Sequence, residues 1–258
     1  MPEVTSYQPG TFCWFELATS DGAAAKEFYT SLLGWTADDR PMPEGVYTIL
    51  QKNGRDAAAL YENKQAPTAW MTYVSVASAD ESVEKAKSLG ATVVAGPFDV
   101  MEHGRMAVLQ DPAGAHVSLW QPRGHIGATV SWESGTVCWT ELATRDAAAA
   151  ERFYVSLFGW HAKHNVPAAP GAGPAYTELD LGGQPFAGMY DMPAEMAGLP
   201  SYWLIYIAVD DCDATAEKAK SLGGQVHVGP QDIPNVGRFA MIGDPQGAMF
   251  AVIKLNPR

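Results

Sequence analysis

The chain has 258 residues, of which 47% are hydrophobic and 18% charged, with eight tryptophans, a composition that excludes a disordered protein and predicts a globular one. Its 17 Lys and Arg stand against 29 Asp and Glu, a formal charge of −12, which argues against nucleic acid and anionic membrane surfaces, because phosphate is gathered by basic patches. Three cysteines, Cys13, Cys138 and Cys212, show no CxxC spacing and read as small core hydrophobes without disulfides, and the absence of a long apolar run or a charged-then-apolar leader predicts a soluble, cytoplasmic protein.

A short polar stretch runs into the turn-forming Gln8-Pro9-Gly10, and GTFCWFELATSD (10–21) then predicts the first strand. Strict alternation sets Trp14, Glu16 and Ala18 on one face and Cys13, Phe15 and Leu17 on the other, the period of a half-buried strand. Asp21 is placed to cap a helix over 22–33, with Phe28, Leu32 and Leu33 as its inward stripe and Gly34 as its stop. The Pro-rich stretch Ala37–Gly45 reads as a loop at the rim of the sheet. Tyr47–Gln51 and Ala57–Tyr61 read as strands joined at Asn53-Gly54, Gln65–Thr68 as a loop, and Trp70–Val76 as another strand. A second helix over 80–89 ends at Gly90, and Thr92–Val94, Arg105–Leu109 and His116–Trp120 follow as strands, the last two flanking the tight turn Asp111-Pro112-Ala113-Gly114.

The chain is then built a second time. GTVCWTELATRD (135–146) keeps nine of the twelve residues of 10–21, and the FY helix ending in Gly-Trp returns as AAAAERFYVSLFGW from Ala147. Offsets between matching residues grow in steps of four: 125 for Trp14 and Trp139, 129 for Tyr47 and Tyr176, and 133 for Tyr73 and Tyr206 or Asp111 and Asp244. The extra residues therefore fall in two stretches, around His161–Pro174 and Pro193–Pro200, where insertion costs little. The organisation predicted is a first module over 1–120, a linker over 121–134 and a second module over 135–258, in the α+β class, with curved mixed sheets.

The βαβββ order, the AAxxFY helix ending in LGW or FGW, the VxDxDA-like helix start and the DPxG hairpin before the last strand resemble the vicinal oxygen chelate superfamily, which includes glyoxalase I, extradiol dioxygenases and bleomycin-resistance proteins. More narrowly, the GTxxWxEL start and the HIGA linker resemble two-module actinobacterial proteins of the hydroxylase or glyoxalase type, one of them a mycobacterial culture-filtrate antigen. The resemblance covers nearly the whole chain twice and implies tandem βαβββ modules whose curved sheets form cups. Since superfamily proteins combine modules to build a cup, a monomer can be complete, and either a monomer or a homodimer is compatible with the sequence.

Metal-using members of that superfamily draw ligands from three places in a module. Carried onto this chain, the pattern falls on Trp14, Met71 and Ser118 in the first half and on Trp139, Leu204 and Ala251 in the second. None is an imidazole, carboxylate or thiolate, and a divalent ion needs three or four such donors converging, so no metal and no cofactor is expected. Glu16 and Glu141 lie two residues further along the same faces, as candidate general acid/base or ligand-gripping carboxylates. The structural alternative is that each is buried and held by hydrogen bonds or by the repeated Arg105 and Arg238. His116 shares a strand face with Ser118 and Trp120, and His161-x-x-His164 falls in the stretch expected to be a variable loop. Tyr73 and Trp120 in the first half, with Tyr176 and Tyr206 in the second, complete cup linings suited to a flat hydrophobic or aromatic small molecule.

No G-x-S-x-G elbow, Walker loop or H-E-x-x-H occurs. Three functions from different classes follow: metal-independent binding of a hydrophobic or aromatic small molecule, an enzyme of the glyoxalase-like lyase or isomerase or hydroxylase kind, and a protein with filled cups that acts through its surface. The stretches Ala37–Gly45 and Ala162–Pro174 are expected to gate the cups.

Overall fold

The computed structural model describes residues 4–43, 45–165 and 175–257. In the first half, β1 (Phe12–Thr19), α1 (Gly22–Leu33), β2 (Thr36–Met42), β3 (Gly45–Lys52) and β4 (Arg55–Glu62) form one βαβββ unit. A second follows as β5 (Ala69–Ser75), α2 (Ala79–Ser88), β6 (Thr92–Val100), β7 (Gly104–Gln110) and β8 (His116–Pro122). The two units join through the antiparallel pair β1 and β5 into one mixed sheet of eight strands, in the order β2-β3-β4-β1-β5-β8-β7-β6. The second half repeats the design with β9 (Val137–Thr144), α3 (Ala147–Phe158), β10 (His161–Asn165), β11 (Tyr176–Leu181) and β12 (Gln184–Asp191), then β13 (Tyr202–Ala208), α4 (Cys212–Ser221), β14 (Gln225–Ile233), β15 (Gly237–Gly243) and β16 (Met249–Leu255). Its sheet has the equivalent order β10-β11-β12-β9-β13-β16-β15-β14. Each half therefore carries two βαβββ units and a sheet of its own.

The helices begin and end where their sequences require. The Asp21 side chain accepts from Ala24 N at 3.0 Å, Asp146 accepts from Ala149 N at 2.8 Å, and Gly34 and Gly159 close α1 and α3 with φ of 67° and 76°. Ser78 and Asp211 cap α2 and α4 in the same way. Two sequence expectations are corrected. Ala37–Gly45 is not a loop, because Thr36–Met42 is an edge strand paired with β3 and exposed along its whole length, and His161–Asn165 is likewise strand β10. Both edges are charged and β2 contains Pro41, features that keep an edge from pairing with another chain and that also erase the apolar alternation by which strands are recognised. Of the expected loop Ala162–Pro174, residues 166–174 lie outside the described residues.

The third correction concerns β1. Its pairing with β5 shifts between Phe12 and Trp14, so Cys13 is bulged. Phe12, Phe15 and Leu17 enter the main core, whereas Cys13 joins Trp14 on the other face and directs its Sγ to Tyr73 O at 3.5 Å. The same shift in β9 turns Cys138 to the Trp139 side, with its Sγ 3.5 Å from Tyr206 O. The repeated cysteines are thus buried on the face of the glutamates, not opposite them.

One large core unites the helix-bearing faces of both sheets, and a separate smaller cluster lies on the other face of each. The halves interlock through reciprocal contacts. Tyr29 Oη donates to Asp244 Oδ2 at 3.0 Å and Tyr154 Oη donates to Asp111 Oδ2 at 2.9 Å, while Trp70 and Trp203 donate to those same hydroxyls at 3.0 and 2.9 Å. Trp35 and Trp160 donate across to the carbonyls of Gly135 and Gly10, each at 2.6 Å. Phe12 of the first half stacks edge-on against Trp203 of the second, ring centroids 5.0 Å apart. The FY and Gly-Trp motifs that mark the repeat are therefore what joins its two copies, in the manner of an isologous contact.

Candidate functional site

β1 carries Trp14 and Glu16 into a cavity of about 1020 Å³ lined by the first half and by His125 of the segment that follows it. Met71 and Tyr73 of β5, Met106 of β7 and Trp120 of β8 complete its wall. Two hairpins form the mouth: β2–β3 contributes Arg40, Met42 and Val46, and β6–β7 contributes Phe98, Met101 and His103. The four apolar rim residues are 41–56% exposed, unusual for side chains of that size.

At the base of the cavity Trp14 Nε1 donates to Tyr47 Oη at 3.1 Å, and the hydroxyls of Tyr73 and Tyr47 hydrogen-bond to Glu16. Dense packing around a carboxylate that still opens onto the cavity pushes its pKa from the ordinary 4.5 to about 7, with the two tyrosine hydroxyls pulling the other way. Among the described residues no arginine is paired with this carboxylate. Arg105 is committed to Asp80 at 2.7 Å and Asp99 at 3.0 Å, and Arg238 to Asp213 at 2.6 Å and Asp232 at 3.1 Å, so the expected pairing of these arginines with Glu16 and Glu141 is corrected. Both arginines tie the start of a helix to a neighbouring hairpin instead.

In the second half Trp139 Nε1 donates to Tyr176 Oη at 3.0 Å, Tyr176 Oη donates to Glu141 Oε2 at 3.0 Å, and Tyr206 Oη donates to Oε1 at 2.9 Å. Burial raises the Glu141 pKa as well. Both carboxylate oxygens are occupied, and Tyr202, standing where the first half has Ala69, hydrogen-bonds with Tyr190 beside them. Leu204 and Ala251 are fully buried in the cluster that also contains Tyr206 and Trp139.

Of the residues singled out in the sequence, the structure gathers Trp14, Glu16, Met71, Tyr73 and Trp120 around one cavity, and Trp139, Glu141, Tyr176, Leu204, Tyr206 and Ala251 around the other glutamate. Two are not brought in. His116 opens β8 opposite Gln110, exposed and outside the cavity lining, and Ser118 is buried behind it at 2% exposure. The alternation was right, but His116 lies too near the strand end to reach the cavity. The sequence missed Tyr47, although its match to Tyr176 at offset 129 was a usable signal, and it missed His125, which reaches the cavity from the linker with no periodic pattern to announce it.

Residues 136–252 match the glyoxalase/bleomycin resistance protein/dioxygenase superfamily, and residues 14–120 match the family described as glyoxalase-like domain. The chain belongs to the glyoxalase/bleomycin resistance/dioxygenase superfamily. Among its relatives are a Mycobacterium tuberculosis protein carrying the provisional name glyoxylase CFP32, 43% identical over the full length of both chains. Another is the anthracycline biosynthesis protein DnrV of Streptomyces peucetius, 35% identical over 98% of this chain and 96% of that one. The 2,3-dioxygenase LapB of Pseudomonas sp. KL28 shares the superfamily fold with a TM-score of 0.68 at 12% identity, covering 100% of this chain and 94% of LapB. The Mn(II)-bound glyoxalase of Novosphingobium aromaticivorans superposes with a TM-score of 0.69 at 13% identity, covering 96% and 82%.

The superfamily's metal positions do not fit a divalent ion in this chain. Trp14 has no lone pair to offer and its N–H is already donated to Tyr47, Met71 is a soft thioether, and the Ser118 hydroxyl is buried. Among the described residues no group of three or more His, Cys, Asp or Glu converges as a metal requires. No described helix is long and apolar enough to cross a membrane.

Proposed function

We propose that the first half binds a flat, hydrophobic, aromatic small molecule without a metal ion. The cavity carries this reading: indole rings and thioethers form its wall, and a single cluster of Glu16, Tyr47 and Tyr73 supplies polar contacts at its base, the composition expected of a site that grips rings and orients them by a few hydrogen bonds. The relative named for anthracycline biosynthesis, aligned over nearly its whole length, supports a fused-ring ligand. The second half, where Glu141 is bonded by two tyrosines as Glu16 is but Tyr202 and Tyr190 are added beside it, serves as the structural counterpart. Titration of tryptophan fluorescence with anthraquinone, before and after treatment with EDTA, tests this. Unchanged saturable quenching is expected; loss on chelation with recovery on adding zinc overturns metal independence, and no quenching at all overturns the aromatic site.

A second reading draws on Glu16 alone. A carboxyl pushed to about 7 at the base of an open cavity can give and take a proton near neutrality, the step that a glyoxalase-like isomerase or lyase needs. Turnover of a 2-oxoaldehyde adduct that follows a group near pH 7 and disappears in Glu16→Gln would favour it.

A further inference from the structure

We propose that His125 orients the bound molecule by accepting a hydrogen bond from a hydroxyl group on its aromatic ring, which makes a phenol the preferred ligand of the first cup; this rests on the reading of the cup as an aromatic site. His125 belongs to no strand, yet it is firmly placed. Its backbone N–H donates to His103 O at 3.1 Å and its carbonyl accepts from Trp120 Nε1 at 2.8 Å. Its ring forms T-shaped pairs with Trp14, centroids 4.6 Å apart at 84°, and with Trp120, at 6.1 Å and 79°. Three residues further on, Ala128 N donates to Cys13 O at 2.8 Å and Ala128 O accepts from Tyr7 Oη at 2.7 Å, so the segment that links the halves is sewn onto the bulge of β1.

The ring has an unusual polar balance. Among the described residues Nε2 is buried with no hydrogen-bond partner and no side chain bonds Nδ1 either, although the ring lines the cavity. Burial holds the imidazole below its ordinary pKa, with His103 and Arg40 acting in the same direction and Asp56 against them, so it is neutral at pH 7. A neutral imidazole has one N–H and one lone pair. A bare lone pair finds no partner among buried aromatic rings, whereas an N–H can be taken up by a π-face. The proton therefore belongs on Nε2, and Nδ1 is left as an acceptor towards the cavity.

An acceptor-only nitrogen selects a donor. The donor must sit beside Trp14 and Trp120, the rings that pack on His125 and also form the cavity wall, so the group that reaches Nδ1 is a substituent of the aromatic ring lying against them. A phenolic O–H is the stronger donor among neutral ring substituents and takes no charge into the cup. Glu16, two residues beyond Trp14 on the same strand face, meets the opposite need at the base of the cavity: in its protonated form it donates to a carbonyl.

The test compares 2-hydroxyanthraquinone with 2-methoxyanthraquinone, in which a methyl group replaces the donated proton on the same ring system. In the wild-type chain, fluorescence titration should give about tenfold tighter binding of the hydroxy compound, the value of one buried neutral hydrogen bond. His125→Phe keeps the ring contacts with both tryptophans and should bring the two affinities to within about twofold, mainly by weakening the hydroxy compound. The 15N resonance of His125 Nδ1 in the wild-type chain, a measurement that needs no variant to fold, should move on adding the hydroxy compound and stay in place on adding the methoxy compound. Equal affinities for the two compounds, or an Nδ1 resonance indifferent to both, overturn the role of His125 while leaving the aromatic site standing. Binding of neither compound overturns both.

Discussion

Replacing Glu16 by Gln separates a buried, unpaired carboxyl from an ion-paired one by the pH dependence of stability. The carboxyl has an ordinary pKa of 4.5 in the unfolded chain and about 7 in the fold, so ionising it costs about 3 kcal/mol more in the folded protein, at 1.36 kcal/mol for each tenfold change. The sign follows from proton uptake. Between those two values the folded chain holds the proton and the unfolded chain does not, so wild-type stability is greatest below pH 4.5 and falls as pH rises through 7, whereas Gln never ionises. Gln keeps the shape of the side chain and can still bond Tyr47 or Tyr73. Urea unfolding of both proteins should thus give a difference near zero at pH 4.5 that grows in favour of the variant to about 3 kcal/mol by pH 8, with unchanged m-values. A loss of stability in Glu16→Gln of about 3–5 kcal/mol at every pH would reveal a buried ion pair and refute the reasoning.

Tyr29→Phe leaves the Trp70 N–H and Asp244 Oδ2 each without a buried partner and should cost about 3 kcal/mol in urea unfolding, with Tyr154→Phe costing the same through Trp203 and Asp111. Gly127 has φ of 114° and a Cβ there would collide with Cys13 O, so Gly127→Ala should cost about 3 kcal/mol or more and shift the tryptophan emission as the linker leaves β1. Met106→Ala, at the cavity wall and away from the main core, should weaken anthraquinone binding severalfold in fluorescence titration while moving the thermal midpoint by only a few degrees.

The repeat made the fold legible. Twelve residues returning with nine unchanged show that the chain is doubled, and Asp21, Gly34 and the DPxG turns mark element ends by local chemistry that a sequence displays directly. Glu16 and Trp14 could be assigned to one face because alternation survives from Trp14 onward. Upstream it fails, since a bulge at Cys13 adds a residue that no hydrophobicity pattern records. β2 was hidden for another reason: a fully exposed edge strand has no buried face to write into its sequence. His125 was out of reach because its neighbour Trp14 lies more than a hundred residues away, and only the closed sheet brings the linker back across it. The crossed bonds from Tyr29 to Asp244 and from Tyr154 to Asp111 share that distance, and with it the invisibility.

Those crossed bonds also bear on how such a chain can change. Asp111 and Asp244 each organise their own hairpin turn through Oδ1 and are completed through Oδ2 by a hydroxyl from the other half, so neither copy satisfies its buried groups alone. In a dimer of identical subunits a substitution in one cup is necessarily made in both. Fusion into one chain keeps the mutual dependence at the seam while releasing the two cups from identity. Ala69 opposite Ala18 in the first half and Tyr202 opposite Ala143 in the second show that release. Change in one cup spares the other, and the seam tolerates this because its own contacts, such as Phe12 on Trp203 and Tyr29 on Asp244, do not involve the cup-facing clusters. A duplicated gene of this kind can therefore explore new ligands in one half with the other as a fixed scaffold.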